Sequence, residues 1–160
     1  LTHDPRLRIF HDDGRVFLNS AKDAEYDAVF MDAFGSVLTT PFQLTTIEAV
    51  KQIDRVLKPD GVVIFNIAAS LVGPKSRVLR SELATYRQIF PQVLIFKVKT
   101  ENPDEKIQNM IIAALKRPVP IDTDSINGKI TQLSRNQVTL NDPEATPFTD
   151  DRPATELRGL

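Results

Sequence analysis

Cysteine is absent from this 160-residue sequence. Its absence excludes disulfides, thiolate nucleophiles and the common cysteine-based zinc sites, and it is compatible with a cytoplasmic location. No segment approaches the roughly 18 uninterrupted apolar residues that a membrane-spanning helix needs. The first ten residues also lack the charged start and apolar core of a secretion signal. We therefore expect a cytoplasmic domain with no membrane segment.

An excess of charge of either sign is also lacking. Lysine and arginine number 20 against 21 aspartates and glutamates, and the net charge is −1. Because the basic residues are scattered, the sequence has no electrostatic footprint for nucleic acid. The 41% hydrophobic and 26% charged residues are typical of a globular protein, and the length is that of one domain. We expect a single domain over residues 1–160 that binds no nucleic acid, with an irregular, proline-rich tail over 141–160.

Short apolar runs alternate with helical patterns along the first half of the chain. Three runs are β-branched or aromatic and bounded by turn residues, which predicts strands over Leu7–Phe10, Asp27–Asp32 and Gly61–Ile67. The last two are apolar on both faces, which favours central strands of a parallel sheet covered by helices on both sides. Between them, helical spacing predicts a helix over residues 45–58, with Thr45 and Glu48 as a capping box.

The second half predicts a helix followed by paired strands. The helix spans residues 74–89, with proline in its first turn. Strands over 92–99 and 107–115 flank a turn and are expected to pair antiparallel, and a further helix is predicted over 124–137. The whole pattern predicts an α/β fold, with a mostly parallel sheet and a C-terminal antiparallel hairpin.

Polar residues follow the predicted strands, at the sheet edge where α/β proteins bind ligands. Asp12, Asp13 and Gly14 come after the first strand, Asp32 ends the second, and Asn66 lies near the end of the third. A purely structural interpretation is equally open. Asp12 and Asp13 would then cap a helix, and Asp32 would cap the loop that follows its strand.

Metal-binding residue types also occur near the N-terminus. They are His3, Asp4, His11, Asp12 and Asp13. Their spacing fits no familiar closed metal site, so a solvated turn is the better interpretation. We expect no metal.

Three consecutive segments resemble the spermidine synthase-like (polyamine aminopropyltransferase) group, which has the class I adenosylmethionine-dependent methyltransferase fold. They are DPRLRIFHDDGRVFL (4–18), YDAVFMDAF (26–34) and PFQLTTIEAVKQIDRVLKPDGVVIFNI (41–67). The ending FTDDRPATE (148–156) is similar to the tail of bacterial members of the group. The resemblance implies a Rossmann-like methyltransferase fold and transfer of an aminopropyl group from decarboxylated S-adenosylmethionine to a small-molecule amine. Two alternatives stay open: an S-adenosylmethionine-dependent methyltransferase for a small molecule, and a non-catalytic binding or assembly domain.

The resemblance also implies roles for individual residues. Asp13 and Gly14 would hold the adenine end of the donor, because a carboxylate accepts a hydrogen bond from the exocyclic amine and glycine lets the ring approach the backbone. Asp32 would contact the donor and the amine, and would take a proton from the amine as it attacks. The remaining substrate contacts would come from Gln43, Asp150 and Asp151. A turn before Pro153 is the alternative role for Asp150 and Asp151.

Two departures from the family pattern accompany these matches. Gly35 stands where the synthases carry a second acid. Glycine occurs at only six positions and no G-x-G is present, whereas the donor site of this fold normally begins with a glycine-rich turn. We therefore expect a C-terminal fragment of a longer protein. Alone, it would bind the donor weakly or not at all and be inactive, and its open strand edges would favour a homodimer.

Overall fold

The computed structural model describes residues 4–34, 40–120 and 135–152. The helices in these ranges are α1 (Gly14–Ser20), α2 (Ile47–Val56) and α3 (Arg77–Arg87), with short 3₁₀ turns at Phe42–Leu44 and Pro74–Ser76. The strands are β1 (Tyr26–Met31), β2 (Leu57–Ala69), β3 (Gln92–Lys97), β4 (Gln108–Leu115) and β5 (Gln137–Val138). The predicted α/β class is confirmed.

All five strands form one sheet in the order β1-β2-β4-β3-β5. β1 and β2 are parallel, with Ala28 opposite Val62 and Met31 opposite Phe65, and α2 lies between them along the chain. The predicted antiparallel hairpin of β3 and β4 is confirmed, and β4 also pairs antiparallel with β2. The sheet is therefore mixed rather than mostly parallel, because β4 returns between β2 and β3.

The helices predicted over 45–58 and 74–89 are present as α2 and α3 with shifted ends. Asp13 caps α1, as the structural interpretation of that residue required. Thr46, not Thr45, caps α2, since its Oγ1 accepts a hydrogen bond from the Ala49 backbone N–H at 3.3 Å. α2 ends at Val56 rather than at Lys58, because the chain enters β2 directly at the next residue.

One face of the sheet carries the buried core. Alternate residues of β2, among them Val63 and Phe65, are buried with Ile53 of α2 and with Leu83 and Tyr86 of α3. The rings of Phe65 and Tyr86 lie 5.8 Å apart. Burial of this apolar surface is the main force that holds α2 and α3 on the sheet.

The opposite face of the sheet is less buried than the prediction of helices on both sides requires. In the described part of the chain, Val62, Ile64 and Asn66 on that face are only half-buried, and Phe30 of β1 is 76% exposed. Residues 7–10 form no strand, contrary to the prediction, and Phe10 is exposed. No strand of the described residues lies beside this run, so its backbone has no ladder to join.

The tail is irregular within residues 141–152, where Thr149 and Arg152 form a single bridge. The helix predicted over 124–137 lies outside the described residues except at its end, where Gln137 belongs to β5. None of the helices described is both long enough and apolar enough to cross a bilayer.

Candidate active site

Asp32 follows β1 and lies beside Asn66 of β2, because the parallel register sets Met31 opposite Phe65. The Asn66 Nδ2 donates a hydrogen bond to Asp32 Oδ1 at 2.8 Å. The side chain of Asp32 is exposed, and its Oδ2 accepts no hydrogen bond from the described residues. Asn66 thus holds one oxygen of the carboxylate while the other stays open.

Asp13 has the helix-capping role that was one of its two interpretations. Its Oδ1 accepts hydrogen bonds from the backbone N–H groups of Arg15 at 2.8 Å and Val16 at 3.3 Å. Asp12 does not cap the helix, since its Oδ1 accepts from the Asp13 backbone instead. The two N–H donors lower the pKa of Asp13 below its usual range, with Arg15 N–H the larger cause. Asp13 is therefore ionised near neutral pH.

Gly14 and Asp32 line one cavity of about 480 Å³. The rest of its wall is mainly apolar and includes Phe17, Val29, Leu44 and Ile53. A flat aromatic ligand suits such a wall, with a carboxylate nearby to orient it. Asp32 also lines a second cavity of about 280 Å³, together with Asn66 and Asn109. The carboxylate therefore borders two spaces.

A Cβ atom at Gly14 would meet the two Cδ atoms of Leu44 at 3.5 Å, which is ordinary van der Waals contact. The backbone of Gly14 is not in the left-handed region. Neither sterics nor backbone conformation therefore requires glycine here. The absent side chain does open the wall of the cavity.

Gln43 lies next to Asp13, so the fold brings these two candidate residues together. Its Nε2 donates to Asp13 Oδ2 at 3.4 Å. Its backbone oxygen accepts a hydrogen bond from Nη1 of Arg15 at 3.0 Å. Gln43 thus joins the cap of α1 to the turn that precedes α2.

Arg15 is the residue that sequence reasoning missed. Its Nη1 also reaches Thr46 Oγ1 at 3.4 Å, and its Nη2 donates to Asp150 Oδ2 at 3.1 Å. Arg15 and Asp150 are 135 residues apart in the chain. No local pattern signals a pair at that separation, so only the fold reveals it.

Asp150 bonds to several protein groups, although its side chain is 51% exposed. Besides the ion pair with Arg15, its Oδ1 accepts from Thr46 Oγ1 at 2.6 Å. Its backbone N–H donates to Glu48 Oε2 at 3.0 Å. Asp151 is also exposed, but it is bonded to none of the described residues. The two predicted tail residues therefore differ in their bonding.

The candidate metal ligands are not assembled. Within residues 4–34, 40–120 and 135–152, no group of three or more histidine, aspartate or glutamate side chains is arranged to hold a metal ion. His3 lies outside these ranges.

Sequence comparison finds a family match and a curated relative. Residues 2–122 match the family described as "Spermine/spermidine synthase domain". A polyamine aminopropyltransferase from Vibrio vulnificus (strain CMCP6) is 29% identical over 106 residues, which cover 65% of this chain and 33% of that protein. The chain therefore spans about a third of the length of this relative.

Structure comparison finds the same architecture. The crystal structure of a probable spermidine synthase from Corynebacterium glutamicum ATCC 13032 matches with a TM-score of 0.73 and 22% identity, over 91% of this chain and 55% of that one. Human methyltransferase-like protein 13, solved in complex with SAH, matches with a TM-score of 0.60 and 18% identity, over 88% of this chain and 64% of that one. The predicted methyltransferase-like fold is confirmed.

Proposed function

This chain belongs to the spermine/spermidine synthase domain family, and from that membership we propose that the protein carrying it transfers an aminopropyl group from decarboxylated S-adenosylmethionine to an amine. The name of the Vibrio vulnificus relative supports the reaction class. The observation that carries the proposal is the open carboxylate of Asp32, which directly follows the parallel strand β1 and lines the same cavity as Gly14.

Asp32 is proposed as the base. An alkyl amine is protonated near neutral pH and becomes a nucleophile only after it loses that proton. Oδ2 would accept the proton, while the Asn66 amide holds Oδ1 at 2.8 Å and fixes the plane of the carboxylate. The amine nitrogen then attacks the donor carbon bonded to sulfur, the C–S bond breaks, and its electron pair neutralises the sulfonium. Since the sulfonium already activates that carbon, positioning and one base suffice.

The nucleoside end of the donor is assigned to the α1 side of the cavity. Asp13 is ionised and would accept a hydrogen bond from the adenine amine, while the adenine ring would lie over Gly14 against the apolar wall. Gln43 lies beside Asp13 and would border the same ligand. Asp151 is exposed and is proposed as an outer contact for a cationic amine.

A second candidate is a methyltransferase that uses S-adenosylmethionine itself. The match to methyltransferase-like protein 13 with SAH supports it at the level of the fold. Gly35 also supports it, since the family synthases carry a second acid at this position for the diamine. The cytoplasmic location and the homodimer stay predictions from the sequence.

The test is an Asp32→Asn variant of the protein expressed from its complete gene. We expect it to bind donor normally and to lose about 10²–10⁴-fold in turnover, because asparagine keeps the shape and loses the basicity. Initial rates are measured on a panel of di- and polyamines with each donor. Asp27→Asn is the matched control, because Asp27 lies at the far end of the same strand and, among the described residues, pairs only with Lys58.

Three outcomes would contradict the proposal. Methyl transfer without aminopropyl transfer would favour the second candidate. No transfer to any amine would favour a non-catalytic domain. Unchanged rates for Asp32→Asn would remove Asp32 as the base.

A further inference from the structure

Residues 148–150 form a strap that ties the tail to two helices. The Phe148 backbone N–H donates to Thr85 Oγ1 of α3 at 2.9 Å, and its backbone oxygen accepts from the N–H of Ile47, the first residue of α2, at 2.8 Å. The Phe148 side chain is 4% exposed. These contacts fix the position of the strap and therefore the position of the Asp150 backbone.

Both oxygens of the Asp150 carboxylate already accept a hydrogen bond from the protein, although the side chain is 51% exposed. Thr46 donates to one oxygen at 2.6 Å and Arg15 to the other at 3.1 Å. The Arg15 side chain is only 19% exposed, so Asp150 is the anion that balances a mostly buried cation. An amine that approached Asp150 would have to compete with both of these donors.

The same contacts lead from Asp150 to the nucleoside end of the cavity. Arg15 holds the backbone oxygen of Gln43, and the Gln43 side chain donates to Asp13 Oδ2. Arg15 also donates its own backbone N–H to Asp13 Oδ1. Arg15 therefore couples the tail, through its side chain and its backbone, to both groups that border the proposed adenine position.

We propose that Asp150 is a positioning residue that orients Asp13 and Gln43 through Arg15, and that it does not contact the amine. This inference rests on the proposed function, because it presumes that an adenosyl donor occupies the cavity beside Gly14. Loss of the Asp150 charge would free the Arg15 guanidinium to turn toward Asp13, whose carboxylate already interacts electrostatically with Arg15. The acceptor for the adenine amine would then be displaced.

The expected signature is a change in donor affinity alone. We expect Asp150→Asn to raise the donor Kd about tenfold, since small displacements of positioning groups have effects of this size or larger. The turnover at saturating donor and the KM for the amine should stay the same. Arg15→Met should have a similar effect, and the double variant should be no worse than either single variant, because both remove one coupling.

The experiment is calorimetric titration of decarboxylated S-adenosylmethionine into the protein expressed from its complete gene, followed by steady-state kinetics. Asp60→Asn is the control, since Asp60 forms an ion pair with Arg117 and neither residue contacts the network. Thermal midpoints confirm that each variant is folded, and Asp150→Glu should restore most of the donor affinity if the charge is what matters.

Each possible result either supports or contradicts the positioning role of Asp150. A higher donor Kd in each single variant, with no further rise in the double variant, supports the positioning role. A normal donor Kd with a higher KM for the amine would show that Asp150 contacts the amine instead. Normal values of both would overturn the positioning role alone, whereas a parent protein that binds no donor would overturn the proposed function together with it.

Discussion

The substitution Gly14→Ala tests whether glycine at position 14 is needed for folding or for ligand binding. The added Cβ would lie 3.5 Å from both Cδ atoms of Leu44, a normal contact, and the backbone of Gly14 is not left-handed. Gly14 is the first residue of α1, where alanine is the better helix former. We expect the free energy of unfolding to rise by about 0.5–1 kcal/mol or less.

Donor binding should change in the opposite direction. If the adenine ring lies over Gly14, the new methyl group occupies space that the ring needs. Overpacking of this kind costs about 1–3 kcal/mol, which corresponds to a rise of about fivefold to 150-fold in the donor Kd. A gain in stability with a loss of affinity cannot arise from damage to the fold.

Urea unfolding and calorimetric titration of the same preparations measure the two quantities. Val16→Ala is a matched control in the same helix, because Val16 is 53% exposed and does not line the cavity. It should gain helix stability with no change in donor Kd. A less stable Gly14→Ala protein would refute the steric argument, and an unchanged Kd would refute the placement of the ring.

Two further predictions concern the core. Burial raises the pKa of Glu82 well above its usual value of 4.5. The contribution of protonated Glu82 to the unfolding free energy is therefore fully present below pH 4.5 and is lost as the pH rises through the raised pKa of the folded state. Glu82→Gln should remove a slope of up to about 1.4 kcal/mol per pH unit from the pH dependence of the unfolding free energy, measured in urea; an unchanged slope would mean that Glu82 is not its source. Phe148→Ala should destabilise the protein by about 3–5 kcal/mol in the same assay, because a buried aromatic ring is deleted where the tail meets α3. A loss below about 1 kcal/mol would show that the tail contributes little to the fold.

The sequence predicted those elements whose patterns are local. The parallel pair of β1 and β2 follows from two apolar runs around an amphipathic helix, and the β3–β4 hairpin from two strands around a short turn. The position of β4 between β2 and β3 is not encoded in either strand, since each strand pattern specifies a face and not a neighbour. The apolar face of β2 was likewise taken as covered, whereas the described residues leave it half-buried.

The candidate site was predictable to a similar extent. Asp13, Asp32 and Asn66 were predicted as site residues because they follow or end predicted strands. The fold does place Asp32 against Asn66. The partner of Asp150 was not predictable, because Arg15 follows a turn at one end of the chain and Asp150 lies in an irregular segment at the other. Long-range pairs of this kind depend on the tertiary path of the chain.

The pair of Arg15 and Asp150 also sets an order of events during protein synthesis. A ribosome makes the N-terminal residues first, and domains begin to fold as they emerge. α1 can form early, but its arginine meets its carboxylate only after 135 further residues have been added. The network that joins Asp13, Gln43 and Arg15 to Asp150 can therefore be completed only after α2, α3 and all five strands have been synthesised.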